Sequence, residues 1–259
     1  MSEFQGIVSQ VYEATRTVRH RIIMEIERWT LRKANAINAK TRTAMEVIKR
    51  FNSRSAKYLI EDAIDPVFMR GRVPPHSETL LFAGNILRRK GIEEWLECFI
   101  RLRERHEKLK GCIIGFGKDI YLSKLRRKAR EYINDGSLVF TGQMSHQEMA
   151  AIYRRGGLFF FPSHVENSPN AVMEGMAAGL PVVCSSVGDA KNIVDHMRSG
   201  VIVEKGNIIG MIEALEGILA NRELSCSFGK RGREIALSRW QPEIIAEKHV
   251  EMYRDILSR

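Results

Sequence analysis

The stretch Leu158 to Ser185, LFFFPSHVENSPNAVMEGMAAGLPVVCS, constrains the fold of this chain more than any other. Leu158-Phe159-Phe160-Phe161 is a continuous apolar run closed by Pro162, the pattern of a strand covered on both faces. Ser163 to Pro169 has turn chemistry, and Asn170 is placed to cap a helix starting near Ala171. The small residues Gly175, Ala177, Ala178 and Gly179 let that helix lie close to a sheet. Pro181-Val182-Val183-Cys184 then re-enters the sheet.

The same rhythm extends from residue 78 onward. Apolar runs at 79–83, 111–114, 137–140, 158–161, 181–184 and 200–203 are each followed by a longer helical stretch. This alternation predicts an α/β protein with a Rossmann-like, doubly wound parallel sheet, whose ligands sit at the carboxyl ends of the strands. Two carboxylates stand in the Leu158–Ser185 unit, Glu166 on the loop and Glu174 about one turn into the helix. Helical side chains lean toward the N-terminus, so Glu174 is expected to point back at the loop that carries Glu166. The helix mouth offers unpaired backbone N–H groups and a positive dipole end, which attract anions. Acceptors for hydroxyls beside donors for phosphate suit a nucleotide sugar. Gly115-Phe116-Gly117 ends the second run, where the backbone is expected to approach a ligand closely. Ser145-x-x-Glu148 reads as a capping box, a structural feature.

PSHVENSPNAVMEGMAAGLPVV resembles the signature of retaining GT-B glycosyltransferases of the large group 1 family (family 4): a Glu, seven residues, a second Glu, then a helix of small residues and Gly-x-Pro-Val-Val. Phe82-Ala83-Gly84 with Lys90-Gly91, Ile114-Gly115-Phe116-Gly117 and Phe140-Thr141-Gly142 match in order and spacing. The resemblance covers roughly residues 25–257. It implies transfer of a sugar from a UDP- or GDP-linked donor to a glycan or lipid-linked acceptor with retention, as in polysaccharide biosynthesis, with no cofactor and no metal. It also implies roles: Glu166 at the donor sugar, Glu174 on the ribose, and Lys90 on the diphosphate. The family's Arg after the first glycine is Asn85 here, so Arg88 or Arg89 is the expected substitute. Gly84, Gly115, Gly117, Gly142, Ser163, Ser168 and Asn170 complete the expected donor-binding set. The resemblance reaches only the last part of the family's acceptor-side domain. It therefore divides the chain into residues 1–75, helices of an incomplete N-terminal domain with a linker; 76–240, the donor-binding domain; and 241–259, a crossover helix. A separate N-terminal half is the implied partner for activity. A non-catalytic nucleotide-sugar-binding module, or a truncated and inactive transferase, remains the alternative.

Charge narrows the partners. Of a net charge of +10, residues 1–60 hold +7, from 12 Lys+Arg and 5 Asp+Glu. Val11, Val18, Ile22, Ile26 and Trp29 recur at near-helical spacing within residues 6–35, with Arg16, Arg19, Arg21, Arg28, Arg32 and Lys33 largely between them. Two readings of this basic helix stay open: a core-facing stripe that packs on the absent half, or a peripheral contact with the inner membrane. No aromatic platform or recognition motif accompanies the charge, so a nucleic-acid partner is not expected. A glycosidase also uses paired carboxylates, but it needs no phosphate site. The four cysteines stand singly without metal-ligand spacing, and no apolar run approaches the ~18 residues that span a bilayer. A reduced cytoplasmic protein is the expectation.

Overall fold

The computed structural model describes residues 2–4, 18–52 and 54–259. Two parallel sheets organise it. The smaller has the order β1-β2-β3, from Ser2–Phe4, Ala36–Ala39 and Ala56–Leu59. The helices α1 (Val18–Lys33) and α2 (Arg42–Phe51) accompany it, around a core of Leu31, Ile37, Ala39, Ala44, Met45 and Ile48. The beginning of the basic helix expected over 6–35, with Val11 and Arg16, lies outside the described residues; Val18–Lys33 is helical.

The larger sheet has six parallel strands: β4 (Thr79–Ala83), β5 (Lys110–Ile114), β6 (Leu138–Gly142), β7 (Leu158–Phe161), β8 (Val182–Ser185) and β9 (Gly200–Val203). All six expected runs are strands. β7 and β8 are buried at every position, which is why they read as unbroken apolar runs rather than alternating ones. The spatial order is β6-β5-β4-β7-β8-β9. The winding therefore reverses between β4 and β7, and a crevice opens beyond their carboxyl ends.

Helices α3 (Ile92–Arg103), α4 (Asp119–Lys128), α5 (Arg130–Asn134), α6 (His146–Tyr153) and α7 (Asn170–Ala177) alternate with these strands. The expectation of a long helix after every strand fails after β8, where α8 is the single turn Ala190–Ile193. α9 (Ile208–Leu219) and α10 (Arg222–Arg239) follow β9 and add Met211, Leu215, Ile218 and Phe228 to the large core. That core also takes in Ile64, Val67 and Phe68, on the N-terminal side of residue 75. The last helix, α11 (Pro242–Leu257), returns to the small sheet and buries Ile245 and Met252 against Ile60. Its Asp255 carboxylate accepts a hydrogen bond from the Tyr58 hydroxyl.

Candidate functional site

The carboxyl ends of strands from both sheets meet at one cavity of about 620 Å³. Lys40 follows β2, and Asp62 and Ala63 follow β3; Arg89 and Lys90 follow β4; Val165 to Ser168 lie between β7 and α7, and Asn170 opens α7. The cavity sits at the switch point between β4 and β7, where open parallel sheets bind their ligands.

Four charges pair across it. Lys90 Nζ lies 2.5 Å from Glu166 Oε1, with the two side chains only 15% and 8% exposed. Ser163 Oγ donates to the same carboxylate oxygen at 2.9 Å and reaches the Arg89 carbonyl at 3.0 Å. Lys40 and Asp62 form a second pair at 2.7 Å on the small-sheet side. Gly91 makes the first of these contacts geometrically available. Its φ is +71°, and a Cβ there would stand 1.8 Å from the Pro162 carbonyl oxygen. Only glycine lets the basic loop lie against Pro162-Ser163 and bring Lys90 to Glu166.

The expected substitutes for the missing arginine separate. Arg89 lines the cavity, with Nη1 3.5 Å from the Val165 carbonyl. Arg88 turns away and sits over the Tyr121 ring at 5.8 Å, lining a different hollow with Lys118 and Lys124. His164 is engaged by Glu94 at 2.7 Å.

Several expectations need correction. Asn170 does not cap α7: Pro169 holds the N-cap position, Asn170 is the first helical residue, and its Oδ1 accepts from Ser168 Oγ at 3.0 Å. Glu174 has His146 and Asp65 as the charged groups that act on it most. Its carboxyl is pushed up to about 7, chiefly by burial, with His146 opposing the rise and Asp65 adding to it. Residue 174 lies one turn in, near Tyr153, on a helix that packs on Pro66–Met69, and it does not line the cavity itself. Gly115 and Gly117 stand where two loops approach closely. A Cβ at Gly115 would stand 1.9 Å from the Gly84 carbonyl oxygen, and one at Gly117 would stand 2.6 Å from that of Ile86. Gly142 has φ +78° and open space around its Cβ position, while Gly84 has φ +144°. The capping box at Ser145 and Glu148 is present.

Lys40, Asp62 and Ala63 were not among the expected site residues. Their signal lay in position: both charges stand just past short parallel strands, at the ends where such sheets collect ligands. Among the described residues no group of three or more His, Cys, Asp or Glu is arranged to hold a metal ion, and no helix is long and apolar enough to cross a membrane.

A parallel sheet with a charged crevice at its switch point defines a doubly wound α/β domain, and comparison with known proteins makes the class specific. Residues 68–235 match the family model of the group 1 glycosyl transferases, and the chain belongs to that family. It is 25% identical over 183 residues to a GDP-mannose-dependent alpha-(1-6)-phosphatidylinositol monomannoside mannosyltransferase of Mycobacterium tuberculosis, covering 68% of this chain and 47% of that one. A sucrose-phosphate synthase from Thermosynechococcus elongatus has the same fold, with TM-score 0.83 and 21% identity over 99% of this chain and 67% of that one. Anabaena HepE, solved in complex with UDP and glucose, superposes with TM-score 0.80 and 13% identity over 99% of this chain and 71% of that one. The chain spans about half the length of the curated relatives it matches.

Proposed function

We propose that this chain is the donor-binding part of a glycosyltransferase that takes a hexose from a nucleoside-diphosphate sugar. The observation that carries the reading is the Lys90–Glu166–Ser163 cluster at the mouth of the switch-point crevice, beside the start of α7. A diphosphate entering there exchanges Glu166 for phosphate oxygens at Lys90 and gains Arg89 and the α7 N-terminus as further positive partners. Glu166, still held by Ser163, is then released toward the sugar. Glu174 accepts from the ribose hydroxyls. The departing diphosphate is stabilised by fixed positive charge and by positioning, so the reaction needs no metal. Retention at the anomeric carbon, a lipid-linked or glycan acceptor, and a separate N-terminal half that completes the acceptor side belong to the same proposal. The family and a structural neighbour solved with UDP and glucose support it.

Calorimetric titration of the chain with UDP and GDP, each with and without an attached sugar, tests this reading. Micromolar binding of one series is expected; no binding to any of them would overturn the donor role.

A second surface bears on the acceptor. On α1, Met24, Glu27 and Leu31 are buried, while Ile22, Ile26 and Trp29 are 59%, 59% and 63% exposed. At about 100° per residue the two sets lie on opposite sides of the helix. The apolar stripe therefore lies on the side of α1 away from Leu31 and the small core. With Arg21 and Arg32 along its flank, it suits an anionic bilayer surface. Trp95 and Trp240 are fully buried, so emission changes report Trp29. A blue shift with phosphatidylglycerol vesicles, absent with neutral ones and lost in Ile26→Asp, is expected; no shift with either vesicle would refute the contact.

A further inference from the structure

The loop after β8 carries a charge that neither the donor site nor the core explains. Asp189 is 2% exposed, and its partners are hydrogen-bond donors instead of a cation. Its Oδ2 accepts from the Arg42 backbone N–H at 3.2 Å. Its Oδ1 accepts from the Thr43 backbone N–H at 3.1 Å, from the Thr43 hydroxyl at 3.0 Å and from Asn192 Nδ2 at 3.0 Å.

Arg42 and Thr43 open α2, whose first-turn N–H groups have no partners within the helix. Thr41 caps the Ala44 N–H locally at 3.0 Å. The two N–H groups before it are satisfied by a carboxylate from the other sheet's loops, 147 and 146 residues away in sequence. A buried carboxylate without a cation is tolerable where helix N–H groups and the positive dipole end meet it.

The main chain of the same loop faces the opposite way. The Asp189 N–H donates to the Asn167 carbonyl at 3.0 Å. Gly188 lies so close that a Cβ would stand 2.3 Å from the Glu166 carbonyl oxygen and 2.7 Å from that of Asn167. One dipeptide thus touches the start of α2 with its side chain and the Glu166 loop with its backbone. Lys40, two residues before Arg42, lines the cavity with Glu166.

We propose that Asp189 is a positioning residue that sets the width of the cleft, tying the helix start beside Lys40 to the Asn167 backbone next to Glu166. It touches neither donor nor reacting atoms, and it works by holding two walls in register. What the cleft holds rests on the donor-site reading above; the tie itself does not.

The test compares wild type with Asp189→Asn and Thr43→Val by hydrogen exchange and by nucleotide titration. Asn keeps the volume of Asp but turns an NH2 group toward donors, leaving at least one of them unpaired. Exchange is expected to quicken about tenfold or more at residues 42–44 and across 163–168, with β7 and β8 unchanged. Thr43→Val, which removes one of the donors, should give a smaller rise in the same segments and add nothing in the Asp189→Asn background. Binding of the nucleoside diphosphate should stay within about twofold, while that of the complete nucleotide sugar weakens by about tenfold, because only the sugar spans both walls. Unchanged exchange at 42–44 would overturn the tie, as would a rise spread through β7 and β8, which marks general destabilisation. Failure of wild type to bind any nucleotide would overturn the donor reading alone, since the exchange result still decides the role of Asp189.

Discussion

Burial, with no paired cation, sets the acidity of Glu174, and that makes its ionisation measurable in two opposite directions. The carboxyl is pushed up to about 7 from an ordinary value of 4.5, with burial the first cause, His146 opposing and Asp65 reinforcing. Between those two values the folded protein keeps a proton that the unfolded chain has released. The stability this group contributes is therefore intact below the unfolded value and is lost as pH rises through the folded one. The displacement corresponds to about 3 kcal/mol when Glu174 is fully ionised, of which about 2.5 kcal/mol develops between about pH 5 and pH 8. Glu174→Gln keeps the shape and removes the titration. Urea unfolding of both proteins at the two pH values should show the variant gaining about 2–2.5 kcal/mol on wild type as pH rises. Nucleotide affinity should run the other way. A carboxylate accepts ribose hydroxyls better than a carboxylic acid does, so wild type should bind more tightly as pH rises through 7 while the variant stays flat. A wild-type-minus-variant stability difference constant to within about 0.5 kcal/mol would refute the burial argument. Stability that shifts as expected while nucleotide affinity does not would leave the carboxyl buried and remove it from the ribose.

Three further outcomes follow from the cavity. Lys90→Met should weaken nucleoside diphosphate binding about tenfold or more, since a charged hydrogen bond contributes roughly 1.5–3 kcal/mol; Arg89→Ala should do so in part, and Arg88→Ala hardly at all. Equal effects of the two arginine variants, read by calorimetry, would contradict their separation across the Tyr121 ring. Glu166→Gln should depress sugar transfer more than nucleotide binding, as measured by turnover and titration in a complete enzyme. Gly91→Ala, which places a Cβ against the Pro162 carbonyl at positive φ, should lower stability by more than about 1 kcal/mol in a denaturant melt.

The larger sheet was readable from sequence because buried parallel strands are written as short, unbroken apolar runs, and Leu158–Phe161 and Val182–Ser185 are such runs. The pair Lys90 and Glu166 was readable as residue types at motif spacing, though not their contact, which depends on how closely Gly91 approaches Pro162. Asn170 has the residue type of a cap and still stands inside the helix, because Pro169 takes the N-cap position ahead of it. The surroundings of Glu174 were not readable for a different reason. The lean of a helical side chain is known from the helix alone, but what it leans into is set by the packing of α7 over Tyr153 and Phe68. Asp189 gives little local signal: apart from Asn192, the donors to its carboxylate lie nearly 150 residues upstream. The same holds for Lys40 and Asp62, whose relevance appears only when two sheets present their carboxyl ends to one space.

The chain passes between the two sheets twice, through residues 60–78 and again at Arg239 to Gln241. Those passages are clasped to each other: Arg239 Nη2 lies 2.6 Å from Glu61 Oε1, and the Ile64 N–H donates to the Trp240 carbonyl at 3.0 Å. Because each crossing is held by the other, the two sheets are joined at one place by a doubled tether. The Asp189 contacts form a second attachment, at the start of α2. Two separated attachments fix a relation that one alone would leave free to pivot. A protease that nicks one crossing leaves the sheets tethered by the other.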